Sequence, residues 1–141
     1  MVKIVDGDTI TALDAQNTTI KIRMYGIDAP ESKQAFGQKA KQALTTAIAT
    51  KIVTVIDHGT DIYGRMLGTI WLDGYDINAS MVDSGYAWVY RFEDNAIVPG
   101  YIKYESAAQK EAKGLWADTN PVPPWQWRQA NEKPRKVKGK K

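Results

Sequence analysis

The chain has 141 residues, 43% hydrophobic and 25% charged, which fits a single soluble globular domain with room for a real core. It has no cysteine and one histidine, His58, so disulfides, thiolate nucleophiles, cysteine zinc sites and paired-histidine metal sites are excluded. The formal net charge of +3 is uneven: residues 131–141 carry six basic side chains against Glu132, so this tail holds +5 and residues 1–130 hold −2. Any chemistry must come from carboxylates, arginines, lysines, hydroxyls, or a hard metal bound by oxygen. No apolar run approaches the length of a membrane span.

Residues 2–13 alternate about Asp6-Gly7-Asp8, with Val2 and Ile4 before the turn and Ile10 and Ala12 after it. Asp-Gly predicts a hairpin or bulge there, and Gln16-Asn17 makes the next turn. Ile20, Ile22 and Met24 then alternate in a half-buried strand over 18–27. Arg23 has the opposite parity and points away from the face those residues bury. The strand runs into Asp28-Ala29-Pro30-Glu31, where Pro30 stiffens the backbone between two carboxylates.

Phe36, Ala40, Ala43, Leu44, Ala47 and Ile48 recur at helical spacing and predict a helix over 35–50. The run 51–57, rich in β-branched residues, predicts a strand closed by His58-Gly59. His58 is then solvated at a turn, without a role. A polar connection, Asp61-Ile62-Tyr63-Gly64-Arg65, leads to a strand over 66–72 that ends at Asp73-Gly74. Asp76 or Asn78 caps a short helix through Ser84, and Gly85 suits its end. An aromatic strand over 86–92, a loop over 93–100 and a helix over about 101–113, stopped by Gly114, follow. The stretch 121–128 is too proline-rich for a helix or a central strand.

Several short strands with few helices predict an α+β fold, a small barrel with helices outside. Residues 1–128 form its single domain. Residues 129–141 form a basic tail expected to be disordered, which either attracts polyanions or only solubilises.

Four polar clusters fall at strand ends or turns: Asp6/Asp8, Arg23, Asp28/Glu31 and Asp61/Arg65. Each has a bland reading. Asp6 and Asp8 can be turn formers, and for Asp6 that is preferred. Asp28 can cap the loop before Pro30, Glu31 can open the next helix against its dipole, and Arg65 can pair with Asp61 across the turn.

Taken together, Val5-Asp6-Gly7-Asp8-Thr9, Arg23-x4-Asp28-Ala29-Pro30-Glu31 and Asp61-x-Tyr63-Gly64-Arg65 resemble, in order and spacing, the staphylococcal (micrococcal) nuclease family. The resemblance extends to Gly114-Leu115-Trp116. It implies a five-stranded oligonucleotide-binding (OB-fold) barrel with about three helices, and a Ca²⁺-dependent phosphodiesterase acting on DNA and RNA. It further implies cleavage at the 5′-oxygen that leaves 3′-phosphates. The family's metal carboxylates match Asp8 and Asp28, and its carbonyl ligand matches Ala29. Its general base matches Glu31 and its arginines match Arg23 and Arg65. Tyr63 and Tyr90 match nucleotide-contacting tyrosines. The alternative is a barrel that has lost catalysis and only binds nucleic acid, against which stand the five filled catalytic positions.

The chain departs from the family pattern in places. Ser32 to Ala35 is a shorter loop in which only Lys33 is available for a nucleotide phosphate, and Ile62 replaces a lysine. Pro123-Pro-Trp125-Gln-Trp127-Arg128 is similar to an extension in a bacterial and plasmid-encoded branch. Trp125 and Trp127 there either stack on bases or pack onto the barrel, the latter being preferred. Trp71, Trp88 and Trp116 are assigned to core or strand surface. The first strand begins close before Asp6, which suggests a removed leader and a secreted or periplasmic protein. A monomer without a membrane span is expected.

Overall fold

The structure, a computed structural model, describes residues 2–131. Three antiparallel strands begin the chain: β1 (Val2–Asp6), β2 (Thr9–Leu13) and β3 (Thr19–Met24). Their register aligns Ile4 with Ile10 and Ile10 with Ile22. All three isoleucines are buried, as the alternation requires. A short ladder, β4 (Ile27–Asp28), leads to helix α1 (Gly37–Ile48), which buries Ala40, Leu44 and Ile48 and packs against β1.

Strand β5 (Thr54–Thr60) pairs antiparallel with β6 (Met66–Leu72), and β6 pairs parallel with β3. The long strands therefore follow the order β1-β2-β3-β6-β5, with β7 (Tyr75–Asp76) beside β6. This is the predicted mixed α+β sheet, but not a closed barrel. Among the described residues β1 and β5 do not pair. Helix α1 covers β1, while β5 is exposed along most of its length, so the edges remain apart.

The C-terminal half lies across one end. Helix α2 (Ile77–Asp83) is capped by Asp76, whose carboxylate accepts the Ala79 N–H. Short strands β8 (Trp88–Val89), β9 (Arg91–Phe92) and β10 (Asn95–Ala96) follow. A 3₁₀ turn then precedes α3 (Ile102–Lys110), and another precedes α4 (Pro124–Ala130). Strand β8 pairs with β4, and β9 with β10. The predicted aromatic strand is thus two short pieces, and the loop 93–100 contains β10.

Two expectations need correction besides the barrel. Residues 51–53 are not strand, and β5 continues to Thr60 through a bulge where Gly59 has φ +118°. His58 therefore lies within a strand. Its Nε2 is 2.8 Å from Thr69 Oγ1, and its ring stacks on Tyr25 at 4.2 Å. The proline-rich stretch also contains a helix, the fourth α-helix among the described residues, and it continues past residue 128. Pro124 occupies the first helical position, where a missing N–H costs nothing, and Pro123 precedes it as the cap. Of the predicted tail, residues 132–141 lie outside the described residues.

Candidate active site

The site begins at the β1–β2 turn, where the ladder shifts register between Ile4 and Asp6. Gly7 is pressed against the loop after β4. A Cβ on Gly7 would lie 2.8 Å from the Ala29 Cβ and 2.9 Å from the Ala40 Cβ. This close approach seats the Asp8 carboxylate under the loop. Its Oδ2 accepts the Ala29 N–H at 2.7 Å, and its Oδ1 accepts the Thr9 hydroxyl at 3.0 Å. The Asp8 carbonyl accepts the Met24 N–H at 2.8 Å. Two loops far apart in sequence are thereby locked into one floor.

Arg23 emerges from β3 between the two aspartates. Its Nη1 is 3.4 Å from Asp8 Oδ2 and donates to the Met24 carbonyl at 2.9 Å. Its Nη2 lies 3.4 Å from Asp28 Oδ1. Asp28 is wholly buried. A second guanidinium, unforeseen from the sequence, grips the same carboxylate. Arg128 on α4 places Nη2 2.8 Å from Asp28 Oδ2 and Nη1 3.2 Å from Oδ1. Its Nη1 also lies 3.4 Å from Glu31 Oε1.

Glu31 is held by its backbone. Its N–H donates to Gln34 Oε1 at 3.1 Å, and its carbonyl accepts the Gln34 N–H at 2.9 Å. Gln34 is buried, and its Nε2 donates to the Val122 carbonyl at 2.7 Å. Gly37 packs so closely that a Cβ there would run into the Glu31 carbonyl. The Glu31 side chain, 29% exposed, faces the cavity beside Arg128.

Across the cavity, Asp61 organises the turn before β6. Its Oδ1 accepts the N–H groups of Tyr63 and Arg65, both at 2.9 Å, and its Oδ2 accepts Arg65 Nε at 2.8 Å. The pairing of Arg65 with Asp61 is therefore real. It uses only Nε, so the Nη groups stay available for a bidentate contact. The Arg65 guanidinium also lies 5.4 Å from the centre of the Tyr63 ring.

One cavity of about 640 Å³ is lined by Asp6, Asp8, Arg23, Glu31, Tyr63, Arg65, Tyr90 and Arg128, among others. Asp28 and Ala29 are buried and are not part of its lining. Lys33 is exposed and does not line it.

Four carboxylates, Asp6, Asp8, Asp28 and Glu31, share this corner with two guanidiniums, Arg23 and Arg128. The excess of negative charge marks the titration of the buried acids. Burial, then the neighbouring Asp8 carboxylate, pushes Asp6 up to about 7. Burial also raises Asp28, against the opposing hydrogen bonds of Arg128 and the charge of Arg23. Asp8 goes the other way: burial works against its ionisation, but Arg23 and hydrogen bonds from Ala29 and Thr9 outweigh it. The hydrogen bonds to Asp28 raise Arg128 above the ordinary arginine range.

Among the described residues no three histidine, cysteine, aspartate or glutamate side chains form a ready-made metal cage. Arg23 and Arg128 bridge the carboxylates instead. The donor set still fits a hard divalent cation: Asp8 and Asp28 supply oxygens of excess negative charge, and Ala29, whose N–H binds Asp8, follows Asp28 in the chain.

A family model described as staphylococcal nuclease homologue matches residues 21–118. The chain belongs to the staphylococcal nuclease homologues. The matched span contains Arg23, Asp28, Glu31, Tyr63, Arg65 and Tyr90, while Asp8 and Arg128 fall outside it. Similarity to individual relatives extends further. The chain is 40% identical over 144 aligned residues to "Protein ParB" of Escherichia coli, covering 96% of this chain and 81% of that one. It is 44% identical over 128 residues to an "Uncharacterized endonuclease" of Haemophilus influenzae, covering 91% and 71%. It is 39% identical over 141 residues to a "Micrococcal nuclease" of Shigella flexneri, covering 94% and 80%.

Within this nuclease-homologue fold, three side chains position the site without a local sequence signal. Arg128 ends a tryptophan motif, Gln34 lies in the loop between Glu31 and α1, and Asn78, a cap candidate by residue type, is fully buried. Its amide donates to the carbonyls of Tyr25 and Gly68, at 2.9 and 3.0 Å, and its Oδ1 accepts the Ile70 N–H at 3.1 Å. It thus ties the start of the Asp28 loop to β6. Trp125 meets the edge of Trp88 at 5.5 Å, and Trp88 that of Trp116 at 4.5 Å. At least Trp125 therefore packs onto the fold.

Proposed function

We propose that the chain is a Ca²⁺-dependent nuclease that hydrolyses phosphodiesters of DNA and RNA. The observation that carries this reading is one cavity lined by both Arg23 and Arg65, with Asp8 and Glu31 on its wall and the buried Asp28 bound to Arg23. A phosphodiester is anionic, and charge develops on its non-bridging oxygens as a nucleophile attacks. Arg65, whose Nη groups are unpaired among the described residues, and Arg23, which lines the same cavity, supply planar paired donors to those oxygens.

Asp8, Asp28 and the Ala29 carbonyl would hold the metal. A bound Ca²⁺ supplies Lewis-acid polarisation of the phosphoryl oxygen. Glu31 accepts the proton of the attacking water, a role typically worth ~10²–10⁴-fold in rate. Its backbone is clamped by Gln34 and Gly37 while its carboxylate faces the cavity. Tyr63, 76% exposed beside Arg65, and Tyr90 offer ring faces and hydroxyls to the nucleotide. Lys33, outside the cavity wall, contributes at most to binding of a longer strand. Scission at the 5′-oxygen, leaving 3′-phosphates, is supported by the family resemblance rather than by a distance in the site.

The test is hydrolysis of plasmid DNA and of RNA with Ca²⁺ and with excess EGTA, followed by end-group analysis. The expected result is cleavage of both polymers in Ca²⁺ alone, with 3′-phosphate ends. Salt-dependent binding without cleavage under either condition would identify a binding module instead.

A further inference from the structure

The phosphate and metal roles above leave Arg128 without a task, yet it holds the same carboxylates. We propose that Arg128 is an internal counter-cation for Asp28 and Glu31 that a divalent metal must displace. Metal binding and the seating of α4 on the site are then linked. The inference rests on the reading of Asp8 and Asp28 as metal carboxylates.

The geometry leaves little room for both cations. A carboxylate offers about four lone-pair sites. Asp28 Oδ1 already meets Arg23 Nη2 and Arg128 Nη1, and Oδ2 meets Arg128 Nη2. A divalent ion on these oxygens would face two guanidiniums at contact distance, and like charges so placed repel strongly at a buried carboxylate. One of them has to move.

The two arginines are not equally free. Arg23 rises from the middle of the sheet, is 16% exposed and also binds Asp8 and the Met24 carbonyl. Arg128 is 40% exposed, stands on the seven-residue α4 and, among the described residues, pairs with Asp28 and Glu31. It is the one that can leave. The contacts that anchor the segment otherwise, Gln34 to Val122 and Trp125 to Trp88, do not involve its charge. The helix can therefore shift without detaching. Because Arg128 already lines the cavity, its displaced guanidinium stays at the cavity wall.

Calorimetric titration with Ca²⁺ alone compares the wild-type chain with Arg128→Gln. Removing the competitor is expected to tighten Ca²⁺ binding by about tenfold or more. Equal or weaker binding by the variant overturns the proposal while leaving the metal reading intact. Binding by neither protein overturns both. Because the variant leaves Asp28 with one counter-charge fewer and can loosen the fold, the wild-type chain supplies a second reading. Amide exchange at Trp127–Asn131 is expected to accelerate several-fold when Ca²⁺ saturates the site; unchanged or slower exchange overturns the linkage. A variant that keeps wild-type Ca²⁺ affinity but loses affinity for a nucleoside 3′-phosphate would make Arg128 a phosphate contact and overturn it as well.

Discussion

Arg128 and Asp28, one hundred residues apart, form a two-pronged ion pair at 2.8 and 3.2 Å, with the aspartate wholly buried and the arginine partly open to solvent. Paired donors in a fixed fork make this one of the stronger side-chain contacts a fold can use. It fastens the last described helix to the loop that carries Glu31. Gln34 fastens the same loop to Val122 from the other side. The C-terminal segment is thus part of the site's scaffold.

The two phosphate-facing arginines separate on stability. Arg65→Ala removes a half-buried local pair with Asp61 and is expected to cost about 1 kcal/mol or less. Turnover should fall by about 10²–10³-fold or more. Arg23→Ala should lose turnover and also destabilise the fold by about 3–5 kcal/mol, because Asp8 and Asp28 lose a shared counter-charge in a buried setting. Thermal unfolding alongside turnover distinguishes the two. Equal melting temperatures for both variants would contradict the placement of Arg23.

Gly37→Ala should destabilise. Alanine in a helix is ordinarily worth about 1 kcal/mol over glycine, so the usual expectation is a gain. Here a Cβ runs into the Glu31 carbonyl, and overpacking of this kind costs about 1–3 kcal/mol. Urea unfolding gives the sign directly, and a more stable variant would mean the Glu31 loop is not clamped at this point.

Asn78→Ala should cost about 1–3 kcal/mol, because the buried Ile70 N–H and the part-buried Tyr25 carbonyl lose the Asn78 amide, while the Gly68 carbonyl keeps only the Tyr25 N–H. The prediction extends to function: the Tyr25 end of the Asp28 loop loosens, so turnover falls although Asn78 does not line the cavity. Unfolding and turnover measured below the transition check both parts. A variant with lowered stability and unchanged turnover would reduce Asn78 to a core residue.

Much of this site was legible in the sequence because its parts are local. Asp6-Gly7-Asp8, Asp28 to Glu31 and Asp61 to Arg65 are each one turn, and a turn's residue types reveal what it presents. Strands β2, β3 and β6 and helix α1 were legible from periodicity, and the Asp76 cap from residue type. Features set at a distance were not. The position of β5 is fixed by pairing with β6, Thr54 opposite Trp71 and Asp57 opposite Gly68, so its own β-branched run misplaced it by three residues. Prolines 123 and 124 read as breakers because their position relative to a helix start is invisible before the helix is known. Arg128 carried no local sign of its partner, since Asp28 is brought to it only by the folded chain.

The most direct test of the central claim is the initial rate of hydrolysis of a defined oligonucleotide against free Ca²⁺, for the wild-type chain and for Asp8→Asn. The account predicts saturable activation by Ca²⁺ in the wild type, no turnover in excess EGTA, and loss of the Ca²⁺ response in the variant. Full turnover in EGTA, or an unchanged Ca²⁺ response in Asp8→Asn, would contradict it.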